Sequence, residues 1–306
     1  MNPPKILHCP YCYSVSSLIF AAIDINNRVD AKFFDYARCN SCGLVFIKEI
    51  PADLGRYYAS DYAPYQRPNS KSQLQHFSYG VQPRLQIIKQ HISSGKMLEI
   101  GPSFGAFSYL AQKSGFEVDV IEMDKDCCDF MKYELGLKVF ESNDVEETLT
   151  SLGQYDIIIL WHNIEHLAAP WRVLEELSKH LNPKGIIAFS TPNPESLQFK
   201  LLGKWWHHLD APRHLHLMPR RFFQSILGKC GLTEVEFSTS DIENANLTKY
   251  GWSASFKKLA GDQKKTLKYL CAQIIGKIFY LVFHVFEKKN CAASFIAVYR
   301  NDCKKM

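Results

Sequence analysis

Four cysteines in two pairs are the residues of this chain whose type and spacing most directly predict chemistry. Cys9 and Cys12 form one C-x-x-C pair, and Cys39 and Cys42 form a second. Two residues between the cysteines let one turn present both sulfurs to an ion, and four thiolates suit tetrahedral zinc. Because four protein ligands close the coordination shell, the sequence predicts a structural zinc site and not a catalytic one.

The gap of 26 residues between Cys12 and Cys39 is longer than is usual for such a site. A long hairpin, with one strand over 18–25 and the next over 31–36, would accommodate it. The alternative interpretation is a set of redox-active or free thiols. The chain has ten cysteines and is expected in a reducing compartment. Zinc ligands and free thiols are therefore both favoured over disulfides.

A glycine-containing turn after a short apolar run is the second feature that could bind a ligand. The run 97–100 predicts a buried parallel strand, and residues 101–105 predict a turn that leads directly into a helix. Gly101 lets the backbone turn out of the strand, and Gly105 lets it approach a ligand closely. Since Ser103 occupies the middle position, the spacing does not fit the G-x-G-x-x-G pattern of dinucleotide-binding proteins.

An acid lies at the end of the next predicted strand, 117–122. In nucleotide-binding α/β folds an acid at about this offset binds the ribose hydroxyls. Glu122 is therefore predicted to face the same ligand as the glycine turn. The alternative is a solvated residue at a strand end.

Histidines are concentrated in two segments that follow predicted strands. Residues 161–166 read W-H-N-I-E-H at the end of the strand 155–161, and residues 204–216 form a loop rich in His, Trp, Arg and Asp. Ligands of open α/β sheets lie beyond the carboxyl ends of the strands, so both segments are predicted to face the ligand. A second zinc site is the competing interpretation of the loop histidines. For Asp210, Arg213 and His214, a structural hydrogen-bond network and a catalytic role remain equally open.

The remaining pattern predicts a doubly wound α/β sheet. The predicted strands are separated mostly by helical patterns, and they cover 97–100, 117–122, 137–141, 155–161, 185–191, 232–238 and 293–300. Residues 70–93 predict an amphipathic helix interrupted near Gly80 and Pro83. The domain prediction is a zinc ribbon over 1–60, a helical connector or lid over 61–95 and a catalytic domain over 96–306.

The turn Glu99-x-Gly101-x-Ser103-x-Gly105 resembles the first motif of class I S-adenosylmethionine-dependent methyltransferases, an acid-x-Gly-x-Gly-x-Gly. The two C-x-x-C pairs, the second followed by G-L-V-F, and a later Y-Y-x-x-D-Y are similar to a bacterial group of these enzymes with an N-terminal zinc ribbon. So is the W-x-x-L-D-x-P-R-H-L stretch at 206–215. The resemblance implies a Rossmann-like seven-stranded sheet with its last strand antiparallel. The apolar residues and flanking lysines near the C-terminus predict a basic helical insertion over 241–290.

The resemblance also implies the roles of individual residues. It places S-adenosylmethionine against a set of residues at the strand ends: Glu99, Gly101, Ser103, Gly105, Glu122, Asp144, Val145 and Trp161. Asp144 would lie near adenine, although it also fits an ordinary helix N-cap. The Glu165-His166 pair matches one that follows the fourth strand in many small-molecule methyltransferases. No D/N-P-P-Y/F motif follows that strand, which disfavours amino-methylation of DNA bases.

The expected reaction is attack by an oxygen, nitrogen or carbon of the acceptor on the sulfonium methyl. A neutral histidine could take the acceptor's proton, and the candidates are His166, His214 and His162, in that order. The predicted acceptor is a small molecule or a glycan, with a lipid-linked sugar as one form of it. The alternatives are a zinc-ribbon RNA methyltransferase and a non-catalytic scaffold that keeps the fold. The sequence leaves the acceptor and the oligomeric state open.

The charge distribution singles out the C-terminal part. The net charge is +5, but the segment from Lys249 onward carries 12 Lys and Arg against 3 Asp and Glu. A generally nucleic-acid-coating protein is therefore disfavoured. No signal peptide is recognised at the N-terminus, so a cytoplasmic protein is expected. The apolar, lysine-flanked stretch 253–289 predicts either a helix buried against the sheet or a dimer partner, or an interfacial helix on the inner face of the membrane.

Overall fold

The structure is a computed structural model, and it describes residues 6–58, 68, 71–240, 242–261, 266–287 and 291–302. Two β-sheets organise it. A five-stranded sheet holds the cysteine pairs, and a seven-stranded sheet forms the centre of the larger part.

The five-stranded sheet has the order β1-β2-β3-β4-β10, and the strands that are neighbours in it pair antiparallel. Its strands are β1 Leu7–His8, β2 Val15–Ala22, β3 Phe34–Cys39, β4 Val45–Ile47 and β10 His216–Leu217. The predicted long hairpin is formed by β2 and β3. The fifth strand comes from far along the chain: His216 pairs with Phe46, and Leu217 pairs with Val45.

The seven-stranded sheet has the order β11-β12-β9-β8-β5-β6-β7. Its strands are β5 Gly95–Ile100, β6 Phe116–Glu122, β7 Lys138–Glu141, β8 Tyr155–Trp161, β9 Leu181–Pro192, β11 Leu232–Ser238 and β12 Ser294–Asn301. The pairs among β5 to β9 are parallel, and β12 runs antiparallel to both β9 and β11. The predicted α/β class, strand set and antiparallel last strand are confirmed.

Helices cover both faces of this sheet. They are α1 Lys71–His91, α2 Ala106–Lys113, α3 Lys125–Asp129, α4 Val145–Leu149, α5 Pro170–Lys179, α6 Leu197–Leu202, α7 Arg220–Lys229, α8 Ile242–Ala260 and α9 Leu267–Glu287. The sequence was wrong to predict an interruption in the first of them, because α1 runs through Gly80 and Pro83. Pro83 removes one backbone hydrogen bond. The buried side chains of Leu85 and Ile88 hold the helix against the core in spite of this loss.

The cysteine-bearing sheet is joined to the larger part by buried polar contacts as well as by β10. Arg213 has no exposed side-chain surface and forms an ion pair with Asp24, 2.7 Å away, which follows β2. The Tyr36 hydroxyl donates to the His214 carbonyl over 2.9 Å. Of the predicted connector 61–95, residues 61–67, 69 and 70 lie outside the described residues.

Helices α8 and α9 form the C-terminal insertion and pack against each other. Trp252 of α8 has no exposed surface, and its ring lies 5.3 Å from that of Phe279 and 5.8 Å from that of Phe283, both on α9. None of the helices in the described part of the chain is long and apolar enough to cross a bilayer.

Candidate functional site

The four paired cysteines come together at the end of the five-stranded sheet. The Cys9 and Cys42 sulfurs are 3.7 Å apart, those of Cys12 and Cys39 are 3.4 Å apart, and all four lie within 4.8 Å of one another. Tetrahedral zinc with bonds of about 2.3 Å needs sulfurs about 3.8 Å apart. The cluster therefore fits zinc with four thiolate ligands.

The backbone of the two knuckles explains why the sulfurs converge. In both, the residue after the second cysteine has a positive φ, 58° at Tyr13 and 79° at Gly43. The amide of that residue donates to the carbonyl of the first cysteine over 3.1 Å in each case. The second knuckle is also attached to α7, because Arg221 donates to the Cys42 carbonyl.

The glycine turn after β5 has the tight geometry that its sequence predicts. Gly101, Ser103 and Gly105 all have positive φ, between 54° and 74°. A Cβ at Gly101 would lie 1.9 Å from Nδ2 of Asn163, and a Cβ at Gly105 would lie 2.8 Å from the Met131 sulfur. Two of the three positions therefore need glycine for space as well as for conformation.

Glu122 is brought to this turn by the parallel pairing of β5 and β6. One of its carboxylate oxygens accepts from the Ser103 amide at 3.0 Å. The other accepts from the amides of Met123 and Asp124, at 2.8 and 3.0 Å. Burial raises the pKa of Glu122, and the three amides favour its charged form. The carboxylate thus lies at the mouth of the turn, where ribose hydroxyls could donate to its remaining lone pairs.

Glu99 and Asp144 have more local partners. Glu99 is buried beneath the turn and accepts from the Ser108 hydroxyl, and burial raises its pKa to about 7. Asp144 caps α4, since its side chain accepts from the Glu147 amide at 2.9 Å. The contacts of Asp144 are therefore those of an ordinary helix N-cap. Val145, the next residue, is buried.

Trp161 lies at the carboxyl end of β8, under α1. Its ring packs edge-on against Phe107 at 5.4 Å, and the Arg84 guanidinium lies 5.1 Å from the ring centroid. The indole Nε1 and the hydroxyl of Ser190, its neighbour on β9, are buried without hydrogen-bond partners in the part of the chain that the structure describes. Buried polar atoms left in this way favour a ligand at the site.

The three candidate histidines converge on one buried carboxylate, Glu165. Its Oε1 lies 3.5 Å from Nδ1 of His162 and 4.0 Å from Nε2 of His214, and Thr191 donates to its Oε2. The rings of His166 and His214 are 4.7 Å apart. Burial alone raises the pKa of Glu165, but the nearby side chains of His162 and His214 lower it to about 2. This carboxylate is therefore ionised at neutral pH.

His166 is held in one tautomer by the groups around its Nδ1. The Arg213 carbonyl is 3.1 Å from Nδ1, and the Tyr58 hydroxyl is 2.9 Å from it. A carbonyl can only accept, so Nδ1 carries the hydrogen and Nε2 keeps its lone pair. Burial, followed by the nearby His214, lowers the pKa of His166 to about 4. The ring is neutral at physiological pH.

Asp210 and Arg213 form a buried network beside these histidines. Arg213 donates to both oxygens of Asp210, at 2.7 and 2.9 Å, and also to Asp24 and to the Tyr57 carbonyl. Ion pairing more than offsets the effect of burial, lowering the pKa of Asp210 and raising that of Arg213. These contacts favour the structural interpretation for Asp210 and Arg213. His214 differs, because its Nε2 side faces Glu165.

Sequence reasoning missed several residues at this edge of the sheet. Tyr58 enters the sequence prediction only as part of the Y-Y-x-x-D-Y stretch, yet Tyr58 contacts His166. The sequence predicts no role for Arg84, Thr191 or Asp24. Arg84 and Thr191 lie on elements that were predicted, but no local motif marks them. The Y-Y pair at 57–58 was the one available signal.

The likeness to known proteins agrees with this geometry. Residues 43–236 match the model of the family described as "Methyltransferase domain", more than half of the chain. The chain belongs to this methyltransferase family. Among curated relatives, the ubiquinone biosynthesis O-methyltransferase of Bordetella avium (strain 197N) is 28% identical over 139 residues, 43% of this chain and 58% of that protein. That of Cereibacter sphaeroides (strain ATCC 17029 / ATH 2.4.9) is 24% identical over 176 residues, 54% of this chain and 70% of that protein. The match thus spans less than two thirds of the first of these relatives.

Two solved structures share the fold. A SAM dependent methyltransferase from Archaeoglobus fulgidus has a TM-score of 0.51 and 20% identity, covering 73% of this chain and 94% of its own. The PH0226 protein from Pyrococcus horikoshii OT3 has a TM-score of 0.50 and 14% identity, covering 80% and 98%. At these identities the likeness establishes the methyltransferase fold and nothing finer.

Proposed function

We propose that this protein transfers the methyl group of S-adenosylmethionine to a hydroxyl oxygen of a small-molecule or glycan acceptor. The observation that carries the proposal is the group of three histidines around the buried carboxylate of Glu165, immediately beside the glycine turn. Asn163 joins the two, because it lies between the first two histidines in the sequence and contacts Gly101. Family membership and the names of the O-methyltransferase relatives support the same reaction class.

The residues around the turn would hold the cofactor. The Glu122 carboxylate would accept from the ribose hydroxyls, and the backbone of residues 101–105 would lie against the methionine part. Arg84, over Trp161, offers a cation for the cofactor's carboxylate. Asp144 and Val145 would flank adenine. When bound, S-adenosylmethionine supplies a methyl group already activated by its positive sulfur.

The protein's own groups would position the acceptor and move its proton. His166 Nε2 keeps a lone pair, so it can accept a hydroxyl proton from the acceptor. Glu165 would stabilise the positive charge that the histidines then share. His214 and His162 stand next to it as second and third candidates for the base. Glu165 and His214 are buried, which limits the access of water to this group and favours transfer to the acceptor.

We propose zinc as the ion held by the four cysteines, in a structural role. The sulfur separations support it, and the knuckles are anchored through Cys42 and Arg221 to the larger part of the fold. Elemental analysis of purified protein should give about one zinc per chain. The variant Cys39→Ser should lose most of it, whereas Cys230→Ser, outside the cluster, should retain it; retention of zinc by Cys39→Ser would contradict the site.

The acceptor class is proposed from chemistry. A carboxylate, three imidazoles and the Tyr58 hydroxyl suit a protic polar acceptor such as a phenol or a sugar hydroxyl. A sugar carried on a lipid belongs to the same class. We propose that the reaction takes place in the cytoplasm, where the cofactor is made available.

The test measures cofactor binding and methyl transfer separately. Calorimetric titration with S-adenosylmethionine should show saturable binding, and NADH should show none. Turnover is then followed as S-adenosylhomocysteine release with catechols, sugar nucleotides and lipid-linked sugars. His166→Asn should lower kcat by about 100-fold or more without changing cofactor affinity. His180→Asn is the matched control, because His180 lies at the opposite edge of the sheet against the Gly153 carbonyl.

Each failure has a distinct meaning. No cofactor binding would overturn the proposal in favour of a non-catalytic scaffold. Cofactor binding with turnover only on RNA, lost at high salt, would favour the RNA methyltransferase alternative. Unchanged kcat in His166→Asn and in a His166→Asn/His214→Asn double variant would remove the histidines as bases.

A further inference from the structure

One face of helix α9 is apolar and exposed along the whole helix. Eight of its apolar side chains are 41% to 76% exposed: Leu267, Leu270, Ile274, Ile275, Ile278, Leu281, Val282 and Val285. At 100° per residue they fall within one arc of about 140°. Monomeric proteins rarely leave so continuous an apolar surface uncovered, so this face indicates an interaction site.

The opposite face of α9 fixes the orientation of the helix. Phe279 and Phe283 pack on the buried Trp252 of α8. At Gly276 the two helices cross closely, since a Cβ there would lie 2.8 Å from Cα of Ser253. Ala272 is buried in the same contact. Because α9 packs on α8 through this side, its apolar face points away from α8 and is exposed.

Two lysines flank the apolar arc, one on each side. Lys268 and Lys277 lie about 90° to either side of its centre, and both are exposed. Neither forms an ion pair within the described part of the chain. The single acid of α9, Glu287, is its last residue.

The charges discriminate between possible occupants. A second copy of the chain seated on this face would bring lysines against lysines, because the one acid of α9, Glu287, lies about 170° from the centre of the arc. An anionic lipid surface would pair with both lysines while the apolar arc enters the acyl boundary. The helix, about 32 Å long at 1.5 Å per residue, would lie in the plane of the membrane.

We propose that the exposed face of α9 is the surface through which this protein docks on an anionic lipid bilayer. The helix lies flat, its apolar arc enters the interface, and Lys268 and Lys277 extend to the headgroup phosphates. This inference deepens the proposed function and rests on it for one consequence: an acceptor carried on a lipid is brought to the active site.

Helix α8 connects the docking surface to the histidine-rich loop. Its Ser255 hydroxyl accepts from the His207 amide at 2.8 Å, and its Leu247 carbonyl lies 3.0 Å from Nε2 of His208. The same loop continues to His214 at the active site. Since α9 packs on the other side of α8, these two helices lie between the docked membrane and the loop.

Vesicle sedimentation of the full chain tests the proposal. At low salt the protein should sediment with vesicles of phosphatidylglycerol and phosphatidylcholine, and much less with phosphatidylcholine alone. Ile274→Glu/Ile278→Glu should weaken binding by at least tenfold, and both side chains are exposed, so folding should be retained. Lys268→Gln and Lys277→Gln should each weaken it about fivefold. Tyr133→Glu is the control, because Tyr133 is equally exposed on another surface.

Several results would overturn the proposal. Wild-type protein that stays in the supernatant with anionic vesicles would do so. It would also be overturned if the Ile274→Glu/Ile278→Glu variant bound anionic vesicles as tightly as the wild type does. A dimer in sedimentation velocity that this variant converts to monomers, without vesicle binding by either, would assign the face to a second copy. Titration with S-adenosylmethionine on the same samples separates these outcomes from failure of the proposed function.

Discussion

The glycine turn after β5 and the histidine group lie side by side but are built in opposite ways. The turn and its acid come from one continuous stretch, 96–122, and most of the contacts involve backbone amides. The histidine group is assembled from Tyr58, from 162–166 and from 208–214, and its side chains contact one another as well as backbone carbonyls. The glycine turn is therefore built from local contacts, whereas the histidine group depends on contacts between distant segments of the chain.

The two regions also depend on different parts of the fold. The turn needs only two parallel strands and its glycines. The histidine group needs the cysteine-bearing sheet, because Asp24 holds Arg213 and the carbonyl of Arg213 orients His166. We infer that a substitution which disrupts the cysteine-bearing sheet disturbs the histidine group and leaves the glycine turn intact.

The largest effect is expected from Arg213→Ala. Removing this cation leaves the buried carboxylates of Asp24 and Asp210 unpaired, so the free energy of unfolding should fall by about 3–5 kcal/mol. Urea denaturation measures it. Folded variant protein should also lose turnover while it binds S-adenosylmethionine as the wild type does.

The matched control for Arg213→Ala is Arg220→Ala. Arg220 also pairs with a carboxylate, Glu234, but its side chain is 38% exposed. Its loss should cost less than about 1 kcal/mol. Equal effects of the two substitutions would contradict the assignment of Arg213 as the link between the ribbon and the histidine group.

A smaller effect, confined to the cofactor side, is expected from Gly101→Ala. The new methyl group would collide with Asn163, and alanine is strained at a φ of 66°. Displacement of the turn should raise the Kd for S-adenosylmethionine about thirtyfold, about 2 kcal/mol. Gly115→Ala shares the positive φ but meets no atom within 4 Å, so it should change the Kd little. Calorimetric titration of both variants with S-adenosylmethionine tests this prediction. Similar Kd values for the two variants would contradict the proposed role of the turn.

The smallest effect is a change in pH dependence on replacing His216. Burial lowers the pKa of His216 to about 4, while the unfolded chain takes up this proton near pH 6.5. Between these values the unfolded state binds more protons, so stability falls as the pH falls. His216→Gln can still donate to the Leu167 carbonyl, and it should reduce the loss between pH 7 and 5 by about 1–2 kcal/mol. An unchanged pH profile of urea unfolding would show that His216 is not buried in the neutral form.

Prediction from sequence worked best where signals are local. The strands of the seven-stranded sheet agree with their apolar runs, and the cysteine pairs met as their spacing required. It failed at Pro83, because helix propensity is local and the packing of Leu85 and Ile88 that outweighs it is not. The roles of the individual site residues remain predictions until they are tested.

The sequence by itself determined the α/β class, the cysteine cluster and the turn between β5 and α2, because the patterns that predict them are motifs and apolar runs only a few residues long. Only the tertiary structure decided that β10 completes the ribbon's sheet, that Arg213 joins Asp24 to Asp210, and that Tyr58 reaches His166. These contacts join residues more than 100 positions apart, and no local pattern encodes which distant partner satisfies a buried charge. It also decided which face of α9 is covered, since periodicity defines a face but not the element that packs against it.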